Sequence, residues 1–132
     1  MELVRSIARP LLGWVFVSSG VDVLRNPHPR AEVAGPVIDK VTGSASFLPD
    51  DRVTMVRANA AVMLGAGTML ALGKAPRLAA LALVGSMIPT TVGGHRYWEF
   101  DDPAKRAQNR IHFNKNLAII GGLLMAASER RR

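Results

Sequence analysis

A chain of 132 residues with 48% hydrophobic side chains, no cysteine and a formal charge of +7 reads as one domain, 1–132, in which disulfides, thiol catalysis and thiolate metal sites are excluded. Its 17 basic residues against 10 acidic ones raise nucleic acid as a partner, but the bases are scattered among apolar blocks and aromatics make up only 5%, too few for a stacking surface. An anionic membrane surface is the simpler counterpart, and nucleic acid is not expected.

The first apolar segment covers about residues 7–24. Pro10 fits its first turn, where a missing N–H costs no hydrogen bond. Trp14 suits an interfacial depth. No small-residue cleavage site follows the run, so it reads as a retained span, and Asn26-Pro27-His28-Pro29 stops it. The connector 25–51 holds Pro27, Pro29, Pro36 and Pro49. Within it, residues 36–41 fit one or two helical turns closed at Gly43, a lid or interfacial piece with Val37, Ile38 and Val41 on one side.

The second segment starts at Asp50 or Asp51 as N-cap and runs to about Leu72, with Gly73 placed to end it. The basic turn Lys74-Ala75-Pro76-Arg77 is short enough to send the third segment, about 77–91, back antiparallel. Pro89 and Gly93-Gly94 end or bend that segment. The fourth segment has the clearest start: Asp102 as N-cap and Pro103 at the first helical position. It needs no break until Ser128.

A soluble bundle would carry a polar stripe on each helix at a period of 3.6 residues. None is visible within 60–72, 78–88 or 117–127, so the chain reads as an all-α, antiparallel four-helix transmembrane bundle with a long loop between helices 1 and 2. The lengths of the second and third segments are short for a bilayer core, which takes about 20 apolar residues; flanking Lys and Arg side chains lengthen such spans by snorkelling. Small residues four apart (Ala61 and Gly65; Ala118, Gly122 and Ala126) suit close backbone crossings in lipid.

In that topology the polar groups collect at one end. Asp22, Arg57, Asn59, His95, His112, Lys115 and Asn116 are the candidate ligand-binding residues. His112, Lys115 and Asn116 share a face by their i, i+3 and i+4 spacing. Asp22, the acid inside an apolar run, is expected to pair with Lys115 or Arg57. Ionisable groups in a span face partners or cavities; both readings stand, structural ion pairs that tie the helices together or a ligand pocket. His95 and His112 have no carboxylate or thiol at a metal-site spacing, so no metal is expected. Tyr97 and Trp98 read as interfacial aromatics. No paired carboxylates or nucleophile–base set is visible, so no catalytic residue is assigned.

Several stretches resemble the DoxX family of small bacterial membrane proteins, most closely its actinobacterial DoxX-like group. They are Arg9-Pro10-Leu11-Leu12, Ser19-Gly20-Val21-Asp22-Val23-Leu24-Arg25-Asn26-Pro27, Pro89-Thr90-Thr91, His95-Arg96-Tyr97-Trp98-Glu99-Phe100-Asp101-Asp102-Pro103 and Ile111-His112-Phe113-Asn114-Lys115-Asn116-Leu117. Gly121-Gly122-Leu123-Leu124 closes the likeness, from which Asn114 departs. The resemblance implies four transmembrane helices in a bacterial cytoplasmic membrane. It also implies a link to redox metabolism, since relatives include a thiosulfate:quinone oxidoreductase subunit. Two functions follow as expectations. One is a non-catalytic accessory subunit of a membrane redox or stress-response complex, with an oxidoreductase as partner. The other is a stand-alone lipid-, quinone- or small-molecule-binding membrane protein. No cofactor is required by either, and quinone is the one candidate. The purely basic Lys74 turn and tail favour cytoplasmic termini.

Overall fold

The computed structural model describes residues 1–45, 47–48 and 51–130. Among them there are five α-helices and no strand: α1 (Glu2–Arg25), α2 (His28–Ser44), α3 (Arg52–Ala71), α4 (Pro76–Gly94) and α5 (Pro103–Ser128), with a 3₁₀ turn at Tyr97–Glu99. The expected count of four is therefore corrected to five, and the expected long loop between the first two segments is itself mostly helix. Pro27 stands at the N-cap of α2 and Pro29 in its first turn, where a proline's fixed φ favours the helix and its missing N–H forfeits nothing. Pro36 lies inside the helix and is exposed. Pro49 and Asp50 fall outside the described residues.

The two predicted starts are present. The Asp51 carboxylate accepts the Val53 N–H at 3.1 Å, and that of Asp102 accepts the Ala104 N–H at 3.2 Å. Each ties down a backbone donor that the first helical turn leaves free. The Thr54 hydroxyl also donates to Asp51 at 2.8 Å, and these bonds hold the Asp51 carboxyl below its usual pKa. Two proline expectations change. α1 begins at Glu2, so Pro10 lies inside it, and α4 continues past Pro89 but ends at Gly94, as the Gly93-Gly94 pair leads one to expect.

Packing begins with glycine. A methyl added at Gly20 of α1 would sit 2.9 Å from the Ala60 carbonyl oxygen, and one at Gly67 of α3 would sit 3.0 Å from that of Gly13. The helices touch backbone to backbone and run antiparallel, because Gly13 meets Gly67 while Gly20 meets Ala60. Both contact pairs lie seven residues apart, about two helical turns, which keeps them on one face. The expected seam of small residues four apart is used only in part: Gly122 lies against Leu12 and Ala126 packs on the core. Ala61 and Ala118 are exposed, and the space beside Gly65 is open.

α4 returns antiparallel along α3 through a turn in which Gly73 and Ala75 have positive φ of 68° and 44°. α5 is antiparallel to α4 in its turn, with Asn116 meeting Thr91 and Arg77 reaching Ala127. Phe16, Leu70, Leu83 and Leu123 are fully buried where these four helices converge. A second apolar cluster, Val23, Ala31, Val56 and Ala60, lies where α2 covers α1 and α3.

The outer faces are apolar as well. Leu11, Trp14, Leu78 and Met125 are each at least 65% exposed, far more greasy surface than a monomer holds in water. Three stretches, Glu2–Arg25, Arg52–Ala71 and Pro76–Glu99, are long and apolar enough to cross a membrane. α5 does not join them, because Lys105, Arg106, Arg110 and Lys115 charge its first half.

Candidate functional site

One end of the molecule is roofed by α2. Beneath it lies a cavity of about 430 Å³. Its walls are aliphatic or thioether side chains: Val23 from α1, Val33, Val37, Ile38 and Val41 from α2, and Met55, Val56 and Met63 from α3. Its polar groups are few and come from different elements: Asn59 of α3, Thr90 of α4, His95 just beyond α4, and Arg30 of α2.

Asn59 and Thr90 are held in place by a neutral network. The Asn59 Nδ2 donates to Thr90 Oγ1 at 3.1 Å, and Ser86 Oγ donates to Asn59 Oδ1 at 2.7 Å. The Thr90 hydroxyl donates onward to the Ser86 carbonyl at 2.8 Å. Ser86 is 4% exposed, so a bond to the amide is what makes its burial tolerable. The second amide N–H is directed at the Met63 sulfur at 3.7 Å, and the amide carbonyl keeps a second lone pair for a bound molecule.

His95 is fixed from the α5 side. Its Nδ1 lies 3.3 Å from Asn109 Oδ1, and its ring stacks on His112 with centroids 5.1 Å apart. Phe113, next along α5, packs edge-on to Tyr97 at 5.4 Å and to Trp98 at 5.8 Å. The 3₁₀ turn is thereby anchored to α5, and these aromatics are packed against one another as well as placed near the helix ends.

The roof is held by three devices. Asp39 of α2 accepts from the Arg52 guanidinium, with Nε to Oδ1 at 3.0 Å and a second bond from Nη2 to Oδ2. This bidentate pair holds the Asp39 carboxyl below its usual value. Arg96 donates to the Val33 carbonyl at 3.3 Å and to that of Gly93 at 2.8 Å. Gly35 and Gly93 supply the clearance: a methyl at Gly35 would strike the Arg52 guanidinium, and one at Gly93 would press on Ala34 at 3.3 Å.

The seven sequence candidates divide. Asn59 and His95 line the cavity, and His112 stacks behind His95. Asn116 faces inward, but its Nδ2 donates to the buried Thr91 hydroxyl at 3.1 Å, away from the cavity wall. Asp22, Arg57 and Lys115 are exposed, and none joins an ion pair among the described residues. The expected pairing of Asp22 with Lys115 or Arg57 is therefore corrected. Each residue of a helix is turned about 100° from the last. Asp22 adjoins the buried Val23, and Arg57 the buried Val56, so both charges point off the packed face. Arg30, Ser86 and Thr90 were missed from the sequence. The i, i+4 spacing of Ser86 and Thr90 in an otherwise apolar run was the available signal.

Among the described residues no three His, Asp or Glu side chains meet as a metal site. What the residues define is a helical protein with membrane-type apolar helices and a mostly apolar hollow under one terminal helix. The family model named DoxX matches residues 4–96, and the chain belongs to the DoxX family. Neither a curated protein nor a solved structure matches it. The family match covers α1 to α4 and ends before the 3₁₀ turn, so all the cavity-lining residues lie inside it.

Proposed function

We propose that this small membrane protein binds an amphiphile with an apolar body and a carbonyl or hydroxyl group, held beneath α2. A neutral lipid or the head of a quinone has that chemistry. The observation that carries the reading is the cavity, about 430 Å³ with aliphatic walls and the Asn59–Thr90 pair set into them. Binding sites for small molecules are largely apolar, with a few placed polar groups that orient the ligand. Burial of the body drives entry; the open lone pair of the Asn59 carbonyl accepts from a hydroxyl head, Arg30 donates to a carbonyl head, and His95 contacts the more polar part. In this reading four helices cross a bacterial cytoplasmic membrane, α2 lies at one surface, and the termini are cytoplasmic.

The test is purification of the full chain in a mild detergent, extraction of bound small molecules, and titration with a short-tailed quinone and with a diacylglycerol. Filling the hollow with Val37→Phe should abolish retention of the amphiphile and leave the helical content unchanged. Equal retention by the wild type and Val37→Phe would rule the reading out.

A second role, as accessory subunit of a membrane oxidoreductase, is favoured by one feature. Leu3, Ile7, Leu11 and Trp14 form an exposed stripe along α1, spaced as a helix presents one face to another. Recovery of a stable oxidoreductase partner after mild solubilisation would support it, and a lone monomer would count against it.

A further inference from the structure

The opposite end holds a second hollow, also about 430 Å³, and Arg5, Arg9, Arg77 and Arg130 line it together with Glu2 and Glu129. Four cations therefore face two anions. Glu129 accounts for part of this charge: it takes Arg9 Nη2 at 2.9 Å and Arg5 Nε at 3.4 Å. Glu2 takes Arg5 Nη1 at 3.0 Å. The remainder is not consumed. Arg9 Nε is buried and has no hydrogen-bond partner among the described residues, an unusual state for a cationic donor, since buried polar groups are nearly always bonded. Arg77 gives its Nε to the Ala127 carbonyl at 2.9 Å, and no described residue accepts from its two terminal nitrogens. Arg130 is exposed at the rim and bonds to no described side chain.

The backbone adds to this. α4 starts at Pro76 with no side-chain cap, so the N–H groups of Arg77 and Leu78, both at the hollow, have no helical acceptor. They carry the positive end of the helix dipole.

We infer that this recess binds a phosphate group, through the terminal guanidinium nitrogens of Arg77 and Nη1 of Arg9, which no described residue accepts from, with Arg130 at the rim. Guanidinium groups match the planar, multi-donor recognition of phosphate oxygens. The site stands apart from the cavity under α2 and does not depend on it. The phosphate has two possible carriers with one chemistry: an anionic lipid headgroup or a free phosphate ion.

The experiment uses the full chain in a neutral maltoside detergent. Inorganic phosphate is titrated by calorimetry against sodium chloride of equal ionic strength. In parallel, dioctanoyl phosphatidylglycerol is compared with dioctanoylglycerol, which lacks the phosphate. Saturable binding of phosphate alone identifies the free ion, binding of the phospholipid identifies the headgroup, and binding of neither overturns the inference. Arg9→Gln should weaken binding roughly tenfold or more, as expected for a lost charge-assisted bond. Because Arg9 also holds Glu129, Arg130→Gln is the second variant. Its side chain has no packing role, and it should weaken binding by about two- to fivefold. Glu129→Gln removes a competing anion and should tighten binding. Unchanged affinity in a folded Arg9→Gln and in Arg130→Gln would overturn the assignment, and Val37→Phe should leave phosphate binding as in the wild type.

Discussion

The two ends of this molecule enclose hollows of equal volume and opposite chemistry. Under α2 the walls are mostly valine, isoleucine and methionine, with a neutral chain from Ser86 through Asn59 to Thr90 and with Arg30 and His95 set among them. At the other end four arginines and two glutamates line the hollow, with a donor left over. The same helices run between them, so the difference comes from how each end is closed. One is covered by a whole helix that brings apolar surface with it. The other is closed by long side chains reaching across from α1, α4 and the end of α5. A helix roof makes a mostly apolar chamber, whereas a set of guanidinium groups makes a charged basin.

The contrast can be broken most severely at Gly20. Replacing it with leucine forces α1 away from the Ala60 backbone, beside the cavity. The cost is expected at about 3 kcal/mol, the upper part of the range for overpacked cores, read as a large fall in the thermal midpoint in detergent. Amphiphile retention should go with it.

Asn59→Leu sharpens the contrast with less damage. It leaves the Ser86 hydroxyl buried without its acceptor, for about 1–3 kcal/mol of destabilisation. Amphiphile binding should be lost while phosphate binding at the far end persists. Loss of both would show that the ends are not independent.

The smallest expected effect belongs to the roof latch. The Asp39 carboxyl titrates below its ordinary 3.8 because Arg52 is bonded to it. A depressed carboxyl supports the folded arrangement above its ordinary pKa, and that support disappears as pH falls through the lower folded value. α2 should therefore stay docked from neutral pH to about 4 and loosen only below it. Hydrogen exchange across α2 should show this, with Asp39→Asn displaying the looser pattern already at pH 7. Identical exchange in that variant would make the latch irrelevant.

The sequence made the starts of α3 and α5 legible, because an aspartate before a helical run has a local job that needs no knowledge of the rest of the fold. Topology alone brings Asn59 and His95 to one cavity with His112 stacked behind, whereas the expectation of a single polar end is corrected by the arginines that line the other hollow. The sequence failed on azimuth. Asp22, Arg57 and Lys115 are exposed on their helices, and one residue of rotation decides that. α2 was hidden by its prolines, which read as breakers although Pro27 and Pro29 occupy the one part of a helix that favours them. The glycine seam between α1 and α3 has a spacing of seven, which the four-residue pattern of small residues in lipid does not reveal.

The uneven build of α5 carries a further consequence for the surrounding lipid. Its uninterrupted greasy stretch, 117–127, rises only about 17 Å at 1.5 Å per residue, against a hydrocarbon slab of about 30 Å. With α5 crossing the bilayer as proposed, acyl chains beside it must dip to meet it, whereas those beside α1 need not. The perimeter is therefore lopsided, and the protein should dimple the leaflet along one flank, drawing shorter or more disordered lipids to that side.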